Sequence, residues 1–201
     1  EEEEYDEPLG ISTGAGLIFG ATGGVMEAAL RTAYETVTKE ELPSLDFTEV
    51  RGLQGIKEAE VDLGGTKLKV AVAHTLANAR KLLEAIKSGE AEYHFIEVMA
   101  CPGGCIGGGG QPLPVDNEVR QKRIDAIYAG DRAMTLRKSH ENPAVKTLYE
   151  EFLGKPNGPK AHELLHTSYT KRRIIPLGED DGAVDSPSLA EIAVAGNGAD
   201  N

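Results

Sequence analysis

Two cysteines with three residues between them stand in a stretch crowded with glycine. Glu97–Pro112 reads EVMACPGGCIGGGGQP, and Cys101 and Cys105 are the chain's 2 cysteines. Thiolates bind soft metals and iron–sulfur clusters. Gly103, Gly104 and Gly107–Gly110 carry no Cβ. The backbone there can approach a bulky inorganic centre and aim N–H groups at its sulfurs or anionic ligands. Such N–H groups tune a cluster's potential. On spacing alone three readings stay open: metal or cluster binding, thiol chemistry, and structural free cysteines. A zinc knuckle would show C-x2-C and a second ligand pair. A redox pair would more often be C-x2-C. A catalytic thiol needs a histidine partner, for which His74, His94, His140, His162 and His166 are the candidates. Two thiolates do not close a four-ligand cluster site, so any cluster here draws ligands from elsewhere.

Two other patterns carry chemistry. HELLH at His162–His166 fits the H-E-x-x-H zinc-hydrolase pattern, with its short flanking helix and the lack of an obvious third ligand against it. Gly20, Gly23 and Gly24 follow an apolar run and precede a helix, a place where a phosphate can sit. The spacing is neither G-x-G-x-x-G nor a Walker motif.

These groups need elements to hold them. Ala15–Phe19 (AGLIF) reads as a buried strand. Val25, Met26, Ala29, Leu30, Ala33 and Val37 recur at helical spacing and predict a helix over about 24–40, with Met26 in the core. Phe47–Arg51 is a candidate strand. Ile56–Leu63 and Thr66–His74 flank Gly64-Gly65 and predict a hairpin. A helix capped by Thr75 or Asn78 should run to about Ser88, with Leu76, Ala79, Leu82, Leu83 and Ile86 inward and Gly89 as its C-cap. Tyr93–Met99 is the next strand and runs into the cysteine loop. Short helices follow at 116–129, 142–153 and 159–166, with Asn142-Pro143 opening the second. The expected class is α/β: a parallel or mixed sheet lobe flanked by helices, then a short all-helical C-terminal wrap and a flexible tail. The expected divisions are 1–114, 115–173 and 174–201. Within the tail, Ser188–Ala195 is a candidate helical turn or two, and the basic run Lys171–Arg173 reads as a solvated face or a clamp onto a partner lobe.

The chain has 201 residues and a formal net charge of −12. That argues against nucleic acid and anionic membrane surfaces, whose phosphates need Lys and Arg. No apolar stretch approaches the ~20 residues of a membrane span. Residue 1 opens an acidic run with no signal-peptide pattern. The expected compartment is the cytoplasm, with the periplasm as alternative.

Glu97–Pro112 resembles, along its full length, the third cluster-binding motif of FeFe-hydrogenases. Ser12–Glu35 and Arg51–Ala79 are similar to that family's neighbouring segments. Arg137–Pro156 and Ala161–Tyr169 resemble its small-subunit region, so the likeness covers about residues 5–173. The resemblance implies reversible reduction of protons to H2 at an H-cluster. That centre is a 4Fe–4S cubane joined by a cysteine thiolate to a diiron unit carrying CO, cyanide and an azadithiolate. By position, Cys101 would be a cubane ligand and Cys105 the bridging thiolate. Met99 would line the diiron pocket. Phe19, Gly20, Ala21 and Thr22 would form its opposite wall, with Gly103 and Gly104 backing the cofactor. The family's other two motifs, TSCCP-like and MPC-x2-K-x2-E-like, do not occur in the sequence. The resemblance therefore implies the C-terminal half of a catalytic domain, inactive by itself. It would need an N-terminal half, in the same chain or a separate one, and ferredoxin or NAD(P)-linked redox subunits. Further 4Fe–4S or 2Fe–2S clusters would belong to those N-terminal parts. The runner-up is a hydrogenase-like iron–sulfur assembly protein that makes no H2. The HELLH zinc hydrolase comes third.

Overall fold

Gly64 and Gly65 take φ of +66° and +94°, the left-handed turn that joins two strands into a hairpin. β1 (Ile56–Leu63) pairs antiparallel with β2 (Thr66–His74), from Leu63 opposite Thr66 to Ile56 opposite Ala73. α3 (Leu76–Ser88) then carries the chain back, and β3 (Phe95–Met99) lies parallel to β2 with His74 opposite Met99. The sheet is mixed, in the order β1-β2-β3. These positions come from a computed structural model that describes residues 10–170. The expectations for Glu1–Glu4, Lys171–Arg173 and the 174–201 tail lie outside the described residues.

β2 is the central strand, and it is buried on both faces. Val70 and Val72 pack with Met26 and Leu30 of α2 (Gly24–Thr38) and with Val50. Ala71 and Ala73 face the other way, against Leu82 of α3. Helices on both faces of a sheet with a parallel pair define the α/β class. A third cluster lies beside the sheet. There Ala15, Ile18, Ala21 and Ala28 meet Ile106 and, from α4 (Asn117–Ala133), Ile124 and Tyr128.

Several local expectations give way. Ala15–Phe19 is not a strand: α1 (Gly14–Leu17) and a 3-10 turn, Ile18–Gly20, occupy it. The Thr13 hydroxyl accepts the Gly16 N–H at 3.0 Å and caps this helical start. A short apolar run carries no periodicity to tell strand from buried helix, so the cap decides. Phe47–Arg51 forms a 3-10 turn at Thr48–Val50, and the third strand starts at Phe95. On α3 only Ala79 and Leu82 are buried, while Leu76 and Leu83 remain 67% and 53% exposed. That helix meets one sheet face along a single stripe, and the neighbouring stripe stays uncovered. Val37, near the end of α2, is also exposed.

The buried face of α2 also holds charge. Arg31 and Glu27 are fully buried. Arg31 forks onto Asp131 of α4 at 2.8 and 2.9 Å and reaches Glu27 at 2.8 Å. Arg51 binds Glu27 at 2.6 Å and lies 4.0 Å over the Tyr128 ring, while Arg137 binds Asp131 at 2.6 Å. Buried charges persist only when paired in this way.

Among the described residues, those up to Phe152 form one compact unit and those from Leu153 a second. In the first, Asn142 caps α5 (Pro143–Leu148) by accepting the Ala144 N–H at 2.9 Å, as expected. A π-helical turn, Tyr149–Leu153, follows. In the second, α6 (Pro159–Leu165) buries Ala161.

Candidate functional site

The parallel pair ends both its strands at one sheet edge. His74 closes β2 and Met99 closes β3, and the Thr75 N–H donates to Met99 O at 2.8 Å. The cysteine loop begins there. It folds on its own backbone: the Gly104 N–H donates to Cys101 O at 3.1 Å and the Gly108 N–H to Cys105 O at 3.1 Å. Ile106 drops into the core as an anchor. Arg123 of α4 grips the loop from outside, donating to Ile106 O at 2.7 Å and to Pro112 O at 2.8 Å.

Both cysteines are free thiols, Cys101 half-buried and Cys105 exposed. Between them Gly104 takes φ +97°. A Cβ there would stand 2.7 Å from Thr22 N, 2.9 Å from Gly20 O and 2.9 Å from Met99 Sδ. The Thr22 N–H also donates to Gly103 O at 2.9 Å. So Gly20, Thr22, Met99, Gly103 and Gly104, named from the sequence, meet at the glycine pair that lies between the two cysteines in the chain. Phe19, the middle residue of the Ile18–Gly20 turn, is 45% exposed. Ala21 turns its methyl into the core, so only its backbone takes part in the wall.

The sequence reading missed four supports of this site: Glu97, Lys57, Arg123 and His74. Glu97 lies two residues before Met99, on the same face of β3, and this period was the available signal. It accepts the N–H of Gly23 at 2.6 Å and of Met26 at 2.7 Å, fixing the start of α2 and the wall before it. Lys57 of β1 donates to Thr22 O at 3.2 Å and Gly52 O at 2.8 Å. Burial pushes the Lys57 ammonium down to about 8. Burial also raises the Glu97 carboxyl, against the pull of its two N–H donors and of Lys57. His74, one histidine among five in the sequence reading, supports the loop directly. Its Nδ1 accepts the Gly103 N–H at 3.2 Å, and its Nε2 stands 3.1 Å from Leu53 O.

The chemistry of the donors fits the two-thiolate share of a four-thiolate iron–sulfur site. Gly108 lies against Cys101, where a Cβ would come within 3.2 Å of Sγ, and Gly109 and Gly110 have open space around them. A larger side chain at Gly108 would crowd one of the two donors.

The family model described as "Iron only hydrogenase large subunit, C-terminal domain" matches residues 1–109, more than half of the chain. The chain belongs to the iron-only hydrogenase family. A second model, "Iron hydrogenase small subunit", matches residues 117–172. The NADP-reducing hydrogenase subunit HndD of Solidesulfovibrio fructosivorans is 57% identical over 173 residues, covering 86% of this chain and 29% of that protein. A solved structure of a variant of the FeFe-hydrogenase HydA1 from Chlamydomonas reinhardtii superposes with a TM-score of 0.64 at 48% identity. It covers 84% of this chain and 49% of that one. Protein NAR1 of Arabidopsis thaliana is 30% identical over 177 residues, covering 84% of this chain and 37% of that protein. The iron-only hydrogenase fold is thus shared, and this chain spans less than two thirds of each of these relatives.

In the second unit α6 ends at Leu165, and His166 lies beyond it with extended backbone. The His162 and His166 rings stack at 4.3 Å, and no third donor joins them among the described residues. Glu35, His140 and Glu141 do lie close enough to share an ion. The Lys138 ammonium already occupies the place of a cation there, 2.7 Å from Glu35 and 3.1 Å from Glu141. No helix among the described residues is long and apolar enough to cross a membrane.

Proposed function

We propose that this chain is the C-terminal half of an FeFe-hydrogenase catalytic subunit, working with an N-terminal half in the reversible reduction of protons to H2. The observation that carries this reading is Gly104, lodged against Gly20, Thr22 and Met99 between the two cysteines. When bound, the H-cluster would supply the redox chemistry that joins protons with electrons delivered from partner subunits. Cys101 would be a ligand of the 4Fe–4S cubane, and the exposed Cys105 would be the thiolate linking it to a diiron unit carrying CO, cyanide and an azadithiolate. Met99, Phe19 and Gly20 exclude water from the diiron side, where low polarity strengthens each directed interaction. Thr22 and the Ala21 backbone hold that wall, and Gly103 and Gly104 keep the approach free of side chains. In this reading residues 1–114 are the second lobe of the cluster domain, 115–173 the small-subunit-like region and 174–201 a tail. The N-terminal half brings the other two cubane ligands, and ferredoxin or NAD(P)-linked subunits bring electrons. The setting is cytoplasmic, with the periplasm as alternative.

Anaerobic reconstitution of the full-length protein with iron and sulfide tests the ligand assignment. Cys101→Ser and Cys105→Ser should each lower the iron bound relative to the parent. Equal iron in parent and both variants would overturn it.

The likeness to NAR1 supports a second reading, an iron–sulfur assembly protein that holds the cubane and makes no H2. An intact cubane with no diiron unit after maturation would favour it. The zinc-hydrolase reading requires zinc that is lost in His162→Ala, measured by elemental analysis.

A further inference from the structure

Gly103 sits midway between the two cysteines, and both of its backbone polar groups are spoken for. Its C=O accepts the Thr22 N–H at 2.9 Å, and its N–H donates to His74 Nδ1 at 3.2 Å. The second bond fixes the tautomer. Nδ1 must be unprotonated to accept, so Nε2 carries the hydrogen and donates to Leu53 O at 3.1 Å. His74 is 8% exposed. Its own backbone is held as well: its N–H donates to Gly55 O at 3.1 Å, and Asn78 donates to its C=O at 2.8 Å. The imidazole is thus a fixed strut from the 53–55 segment, through the end of β2, to the peptide between the thiols. Gly103 is buried, so an unaccepted N–H there would be costly, and the peptide would turn to find a partner. Turning it moves Cys101 and Cys105 relative to each other, because each is only two residues away.

We propose that His74 is a positioning residue for the cluster: through the Gly103 N–H it sets the relative placement of Cys101 and Cys105. The inference rests on the cluster reading above. It concerns an acceptor at the Nδ1 position, and this makes it separable from a packing role. The amide oxygen that His74→Asn introduces falls where Nδ1 stood and can still accept from Gly103. The longer side chain that His74→Gln introduces puts its amide where Nε2 stood and serves Leu53 O alone.

The test uses the full-length protein reconstituted with iron and sulfide. The rate of iron release to a chelator and the paramagnetic resonance of the reduced cluster are recorded after subtracting Cys101→Ser. His74→Ala and His74→Gln should release iron about tenfold faster, the effect of one lost buried hydrogen bond, with a shifted resonance. His74→Asn should restore both. Rescue by Gln and not Asn, or a His74→Ala protein indistinguishable from the parent, would overturn the proposal. If His74→Ala fails to fold, the Asn and Gln variants decide alone. If Cys101→Ser binds as much iron as the parent, the cluster reading itself has failed, an outcome separate from failure of the His74 inference.

Discussion

An alanine at position 104 would place its Cβ 2.7 Å from Thr22 N and 2.9 Å from Met99 Sδ, on a backbone with φ +97°. Strain of this kind costs about 1–3 kcal/mol, and the displaced neighbours are the wall residues themselves. Gly104→Ala should therefore lower both the melting temperature and the iron retained on reconstitution. Gly109→Ala is the matched control, since a Cβ there meets nothing within 4 Å. It should leave the melting temperature unchanged. At this scale the sequence was informative about the thiols and the glycines, because a rare residue type at a tight spacing needs no context. It did not single out His74 or Lys57 as supports of the loop. One histidine among five, and one lysine in a strand of alternating charge, become distinctive only when register sets them against a loop far away in the chain.

Glu97 shows what one side chain does for an element. Its carboxylate takes two N–H groups at the start of α2, where four donors have no partner within the helix. Hydrogen bonds to a charged group contribute about 1.5–3 kcal/mol. Glu97→Ala should lower the free energy of unfolding by about that amount in a urea titration, and Glu97→Gln by less, since one amide oxygen remains to accept. The hairpin, α2, α3 and β3 were legible because their periods and turn residues agree. The stretch around Ile18 was not: its strand reading rested on apolarity, and the Thr13 cap that makes it helical looks like any other threonine. The exposed Leu76 and Leu83 mark the same limit, because periodicity predicts a stripe but not how far the neighbouring element extends over it.

Across the whole molecule, charge both fastens the first unit and sets its acid sensitivity. Arg31 joins Glu27 on α2 to Asp131 on α4, all fully buried. Removing Arg31 leaves Glu27 with Arg51 alone and Asp131 with Arg137 alone, so Arg31→Ala should cost about 3 kcal/mol in a denaturant melt, the low end for a broken buried pair. The Arg31 and Arg137 guanidiniums hold the Asp131 carboxyl down at about 2, against burial, and Lys138 and His140 do the same for Glu35. A carboxyl whose folded value lies below its unfolded one stabilises the protein above the unfolded value, roughly 4, and that stability is lost as pH falls toward 2. Urea melts at successive pH values should show this decline. The gap between the parent and Asp131→Asn should close as pH drops; a constant gap would contradict the linkage. None of this network was legible in the sequence, where Glu27 and Arg31 stand off the apolar positions that predicted the helix. The most direct test of the central claim, that this chain contributes Cys105 and the pocket wall to an H-cluster, is an infrared spectrum of the matured full-length protein. CO and cyanide bands that vanish in Cys105→Ser are the predicted result. A 4Fe–4S protein with no such bands would contradict it.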